Sequence, residues 1–201
     1  YDASPTDQRR LQDASVRVLA ELHALSADDE LFEFLQFDPA TGATPLRRHL
    51  AHTRAWYEWV VDGAPRSRLI DAAFDWLEAH FPETESEAVV SWGDSRIGNA
   101  MYRDFEPVAV LDWEMTCVGP RELDVGWMVY SHMVFEHIAS TFGMGGMPHF
   151  MRPHDVAATY EQISGHRLAP LDWFITYAAI QYSIVFVRTG QRAVHFGEQE
   201  Q

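Results

Sequence analysis

Trp92-Gly93-Asp94-Ser95-Arg96-Ile97-Gly98-Asn99, followed by Val110-Leu111-Asp112-Trp113-Glu114, sets an acid, an amide and a second acid at intervals of five and thirteen residues. An apolar run leads into each acid: Ala88-Val89-Val90 before Asp94, and Val108-Ala109-Val110-Leu111 before Asp112. Such runs, bounded by turn residues, read as short strands, here Ala88–Trp92, Ala100–Tyr102 and Pro107–Asp112. Polar residues at strand ends can be aimed together into one pocket. This set consists of oxygen donors: a carboxylate able to orient a hydroxyl and accept its proton, plus a mixed amide–carboxylate pair. Such a pair suits hard Mg2+, which keeps several waters and shares phosphate oxygens. The chemistry implied is Mg2+-assisted phosphoryl transfer, which needs positioning, metal ligands and positive charge on the moving group.

On both sides of this block the apolar period changes to that of helices. Leu11, Ala14, Val18, Leu19 and Leu22 recur at helical spacing and predict a helix over Thr6–Leu25, with Ser4 or Thr6 as N-cap. Two more are predicted at Pro45–Val61 and Arg66–His80, with the breaker Asp62-Gly63-Ala64-Pro65 between them. Their aromatics Trp56, Tyr57, Trp59, Phe74 and Trp76 are expected in a core. After Gly119-Pro120 a helix should carry Leu123, Trp127, Met128 and Val134 on one face, and two last helices are expected at His154–Ser164 and Leu171–Ala193. Gly143–Met147 reads as a mobile connector or a lid on the substrate side. The fold class is therefore α+β and mostly helical, with a little β-structure in the middle that carries the polar motif.

Composition narrows the function. With 201 residues and 47% apolar content the chain can bury a sizeable core as one domain. A net charge of −15 argues against nucleic acid and against an anionic membrane surface, while it is compatible with a cationic substrate. All 15 basic residues are arginine, so nucleotide chemistry that needs a lysine on the phosphates cannot be completed by this chain alone. The single Cys117 excludes an internal disulfide and a cysteine metal cage, and reads as a buried, inert thiol. The absence of a signal peptide and of a spanning apolar run in the sequence makes the cytoplasm the expected compartment.

The Asp-x-x-x-x-Asn element followed by an apolar strand ending in Asp-Trp-Glu resembles the aminoglycoside phosphotransferase and choline kinase-like family, relatives of protein kinases. The family form is close to His-Gly-Asp-x-x-x-x-Asn, then Asp-Trp-Glu, then Gly-Asp-x-x-x-Asp-Leu. This chain reads Trp92-Gly93-Asp94, Asn99, Asp112-Trp113-Glu114 and Gly119-Pro120-Arg121-Glu122-Leu123-Asp124, so the motif block spans residues 89–127. The resemblance implies ATP, or another nucleoside triphosphate, as phosphoryl donor and a small-molecule hydroxyl as acceptor. It implies Asp94 as the base, Asn99 and Asp112 as ligands of Mg2+ and thereby of the nucleotide phosphates, and Asp124 as a structural acid tying the catalytic loop to the next helix. Glu114 would support the metal through water. Arg96 stands where protein kinases often place a phosphate-contacting lysine; its guanidinium would either touch the transferred phosphate or pair with a neighbouring acid.

Two departures accompany the resemblance. Trp92 replaces a family histidine regarded as structural, so the backbone contact of that imidazole is lost or remade. The amino-terminal lobe, with its phosphate-covering loop and lysine, has no counterpart. The chain, over 1–201, is thus expected to be the carboxy-terminal, catalytic and substrate-binding lobe of a longer protein, close to inactive in isolation. The rival reading is a non-catalytic, pseudokinase-like module that binds a nucleotide or small molecule. Gly93-Asp94-Ser95 also echoes the block of Gly-Asp-Ser esterases, but no downstream Asp-x-x-His accompanies it. The histidine pairs His49/His52 and His132/His137 lack the i, i+4 zinc spacing and read as surface or core residues.

Overall fold

A computed structural model describes residues 3–28 and 30–198; the outermost ends of the 1–201 domain span lie outside the described residues. Six α-helices follow the expected order: α1 Pro5–Leu22, α2 Pro45–Val60, α3 Arg68–Ala79, α4 Glu122–Thr141, α5 Pro153–Ser164 and α6 Asp172–His195. The first three begin where a hydroxyl can replace a missing helical partner. Ser4, Thr44 and Ser67 accept the N–H of Asp7, Arg47 and Ile70 respectively, and Pro5 and Pro45 fill first-turn positions that need no donor. Of the proposed caps for α1, Ser4 serves and Thr6 lies inside the helix.

The helices bury two clusters. Leu46, Leu50, Tyr57, Phe74 and Leu77 from α2 and α3 close on Trp173, Tyr177 and Ile184 of α6. Val16 and Leu19 of α1, Val125 and Val129 of α4 and Val156 and Tyr160 of α5 form the second, together with Trp92 and Met151. Helix α4 joins the halves, since Leu123 belongs to the first cluster and Val125 to the second. It crosses α6 closely at Gly126, where a Cβ would sit 2.9 Å from the Phe174 backbone. Of the aromatics expected in the core, Tyr57 and Phe74 are buried. Trp59 and Trp76 instead lie on the outer helix faces, beside Arg188 and stacked on His80.

The β-structure is nested. Strand β1 (Ala88–Ser91) pairs antiparallel with β4 (Cys117–Pro120), from Ala88↔Pro120 to Ser91↔Cys117. Inside that clamp β2 (Ala100–Arg103) and β3 (Glu106–Val110) form a hairpin through the two-residue turn Asp104-Phe105. Strand β4 was not foreseen, because Gly119-Pro120 reads as a breaker. Pro120 is accommodated as the last residue of a two-stranded pair, where one missing donor costs little. The nesting leaves two loops, 92–99 and 111–116, at the same end of the inner hairpin, and these loops hold Asp94, Asn99, Asp112 and Glu114.

Candidate active site

The loop after β1 is fixed from below by Asp124 in the first turn of α4. Its fully buried carboxylate accepts the N–H of Trp92 at 2.7 Å and of Gly93 at 2.8 Å, and Nε2–H of His23 at 2.9 Å. Its own carbonyl accepts the Ser95 hydroxyl at 2.8 Å. Burial opposes ionisation of Asp124, but the His23 bond and charge, with the two backbone donors, outweigh it and hold the carboxyl below its usual range. Gly93 makes the tight passage possible: its φ is +89°, and a Cβ would lie 2.2 Å from the Met115 carbonyl. Ser95 is fully buried and committed to that carbonyl, which removes it as a nucleophile.

Trp92, in the place of the family histidine, is 2% exposed, and its indole N–H donates to the Leu111 carbonyl at 2.8 Å. Leu111 in turn donates its N–H to the Asn99 carbonyl at 2.8 Å, one step beyond the Ala100↔Val110 pair. These two bonds tie both loops together next to Asp112. At this position an indole thus makes a backbone tether.

Above this base lies the polar cluster. The Asp94 carboxylate accepts Nδ2–H of Asn99 at 2.5 Å, the indole N–H of Trp127 at 2.8 Å and, on both oxygens, Nε–H of Arg96 at 3.2 Å. With its nitrogen spent on Asp94, Asn99 keeps its amide oxygen as the remaining pole. Asp112 and Glu114 are exposed, and neither carboxylate has a hydrogen-bond or ion-pair partner among the described residues. Asp112 has a left-handed backbone, φ +55°, a conformation that non-glycine residues adopt mainly when their surroundings impose it. The structure therefore brings Asp94, Arg96 and Asn99 into contact, bonds the residue before Asp112 to the Asn99 backbone, and leaves Glu114 apart from that network.

Two participants escape sequence reading. His23 lies 101 residues from Asp124, with no local signal of the pairing. Trp127 was assigned to the apolar face of its helix; it is 5% exposed, stacks on Tyr182, and also donates to Asp94. Its spacing of three from Asp124 could have flagged it, since i and i+3 share a helix face. Cys117 is buried, and burial pushes its thiol up to about 12, as an inert thiol requires. Among the described residues no group of three or more His, Cys, Asp and Glu side chains is gathered to hold a metal, and no helix is long and apolar enough to cross a membrane.

Comparison with known proteins supplies the class. A model of the "Phosphotransferase enzyme family" matches residues 1–150, and the chain belongs to that family. Human "Acyl-CoA dehydrogenase family member 11" is 26% identical over 120 residues, which cover 58% of this chain and 14% of that protein. A putative aminoglycoside phosphotransferase from Ralstonia eutropha JMP134 superposes with a TM-score of 0.76 at 21% identity, over 96% of this chain and 59% of the other. The streptomycin–ATP–APH(2″)-IIa ternary complex gives 0.58 at 11% identity, over 98% and 62%. At these identities the structural likeness speaks for the fold. The chain spans about a seventh of the curated relative and under two thirds of both solved chains.

Proposed function

We propose that the protein moves the γ-phosphoryl group of ATP, or another nucleoside triphosphate, to a hydroxyl of a small molecule in the cytoplasm. In this reading the chain is the carboxy-terminal lobe of a longer kinase-like protein, and the lysine that its composition lacks comes from the amino-terminal lobe. The observation that carries the reading is the juxtaposition of Asp94, Asn99 and Asp112: the Asn99 amide donates to both the carboxylate and the carbonyl of Asp94, and a backbone bond joins Leu111, next to Asp112, to Asn99.

Asp94 accepts the hydroxyl proton while the alcohol oxygen bonds to the γ-phosphorus and the β–γ bridging bond breaks, releasing a nucleoside diphosphate. Asn99, Trp127 and Arg96 fix the carboxylate so that one orientation is presented. The Arg96 guanidinium keeps its terminal nitrogens for the transferred phosphate. The donor set fits Mg2+: Asp112 is an exposed, unpaired carboxylate, and Asn99 offers a neutral oxygen. When bound there, Mg2+ would neutralise charge on the nucleotide phosphates; Glu114 would reach it only through water.

Two variants test the assignment. Asp94→Ala should lower kcat by about 10²–10⁴-fold and spare nucleotide affinity. Asp112→Ala should lose Mg2+-dependent nucleotide binding, measured by titration with and without the metal. Normal turnover in either variant would sink the assignment, and binding without turnover in the unaltered protein would favour the pseudokinase-like module.

A further inference from the structure

A cavity of about 410 Å³ opens beside the loop that holds Asp94, within the range of about 300–1,000 Å³ typical of small-molecule sites. Its walls come from separate segments: Leu11 of α1, Ile97 of the loop, Phe105 of the hairpin turn, Met128 and Phe135 of α4, and Met151. Arg96 also lines it, and its Nε is 3.2 Å from each carboxylate oxygen of Asp94. The lining therefore comes within one side chain of the candidate base.

The lining contains no carboxylate. Its ionisable members are Arg96 and His132, and burial lowers the His132 imidazole despite Glu136 and the Met147 carbonyl, which favours its neutral form. The nearest carboxylates, Asp94 and Glu136, stand behind the lining on Arg96 and His132, so net charge does not describe this surface. A polycationic molecule entering here would lose water and meet a guanidinium, with the nearest carboxylates already paired to Arg96 and His132.

Backbone strain converges on the same walls. Among the described residues four non-glycine positions have φ in the left-handed region: Asp104, Phe105, Asp112 and Met151. Phe105 at +64° and Met151 at +53° both line the cavity. A glycine would suit the second position of the Asp104-Phe105 turn without strain, yet the chain places a phenyl ring there. Met151 is pinned by its N–H to the buried Gln12 side-chain oxygen at 2.7 Å. Left-handed residues held by their surroundings cluster at ligand sites.

The geometry points to this cavity as the acceptor subsite, taking an uncharged alcohol with an apolar body whose hydroxyl passes Arg96 to reach Asp94. The inference rests on the phosphotransferase reading for the fate of the hydroxyl, while the apolar preference rests on the cavity alone.

Calorimetric titration of the full chain with straight-chain primary alcohols from butanol to octanol, and with the dicationic cyclitol streptamine, tests it. Kd should fall about three- to four-fold per added methylene until the cavity is filled, with a negative heat-capacity change, and streptamine should neither bind nor compete. Phe135→Asp, at a half-exposed position, should abolish the chain-length dependence. Phe105→Gly should weaken octanol about ten-fold and leave the thermal midpoint unchanged or raised, which a merely structural ring would not do. A flat alcohol series, or streptamine binding more tightly than octanol, would overturn the assignment.

A transfer assay on the natural full-length protein separates the two readings. Octanol bound, with no Mg2+- and nucleotide-dependent transfer to any alcohol, would uphold the cavity and remove the phosphotransferase reading. Transfer to streptamine with no octanol binding would do the opposite.

Discussion

Each of the two cores contains a buried histidine hydrogen-bonded to a buried tyrosine, and the two pairs do different work. In the α1–α4–α5 half, His23 Nδ1 meets the Tyr160 hydroxyl at 2.8 Å while Nε2 serves Asp124. In the α2–α3–α6 half, His49 Nδ1 meets the Tyr177 hydroxyl at 2.6 Å, and further partners of that hydroxyl are Thr53, also at 2.6 Å, and the His49 carbonyl at 3.1 Å. The first pair ends on a carboxylate that clamps the loop carrying Asp94; the second ends on neutral groups, and it feels the site only through the charge of Asp124 acting on His49. A buried polar cluster thus becomes part of a site through what its last member holds.

The largest effect should come from cutting the first network at its acid. Asp124→Ala leaves the His23 N–H and the backbone N–H groups of Trp92 and Gly93 buried without an acceptor. Losing one member of a buried charged network costs about 3–5 kcal/mol, so chemical denaturation should show most of a small domain's stability gone. A loss under about 1 kcal/mol would mean that the loop is held by something else, and the contrast between the halves would collapse.

The second network should announce itself through pH. Burial, then the neighbouring His52, pushes the His49 imidazole down from 6.5 to about 4. A histidine whose folded pKa is lowered binds its proton more readily when unfolded. Stability is therefore complete above about pH 6.5 and declines as pH falls towards 4, by about 3 kcal/mol at the lower limit. His49→Gln should remove this part of the slope, measured as denaturation midpoints across that window. His52 and His132 are lowered too, so only the difference between the two proteins isolates His49. Asp124 titrates below the usual carboxylate range and stays outside the window.

Sequence alone exposed the helices, because their signals are local: a hydroxyl at the N-cap, apolar residues at spacings of three and four, a Gly-Pro or Asp-Gly at the ends. The central candidates Asp94, Asn99 and Asp112 were legible for the same reason, being carried by one continuous block. Three features were not. Strand β4 contains Gly119-Pro120, and only its partner β1 makes a strand of it. His23 reaches Asp124 across 101 residues, where no periodicity points. The make-up of the cavity lining was hidden as well, because net charge is a sum over the whole surface, whereas a lining is a selection of side chains made by the fold.

A matched pair of tyrosine substitutions gives the smallest and most discriminating contrast. Tyr177→Phe leaves the His49 ring nitrogen and the Thr53 hydroxyl without their shared partner in a closed core, and should cost about 1–3 kcal/mol. Tyr160→Phe removes one partner of His23, but His23 and Tyr160 also border an open pocket of about 330 Å³ between α1 and α5. Water can enter that pocket and take the vacated place, so the cost should be about 1 kcal/mol or less. Turnover should respond in the opposite order. Tyr160→Phe loosens the imidazole that orients Asp124 and should lower kcat a few-fold with KM little changed, whereas Tyr177→Phe should leave both constants alone at temperatures where it is folded. If stability and turnover fell together in both variants, the two pairs would be equivalent supports of one core, and the special standing of the His23 side would be lost.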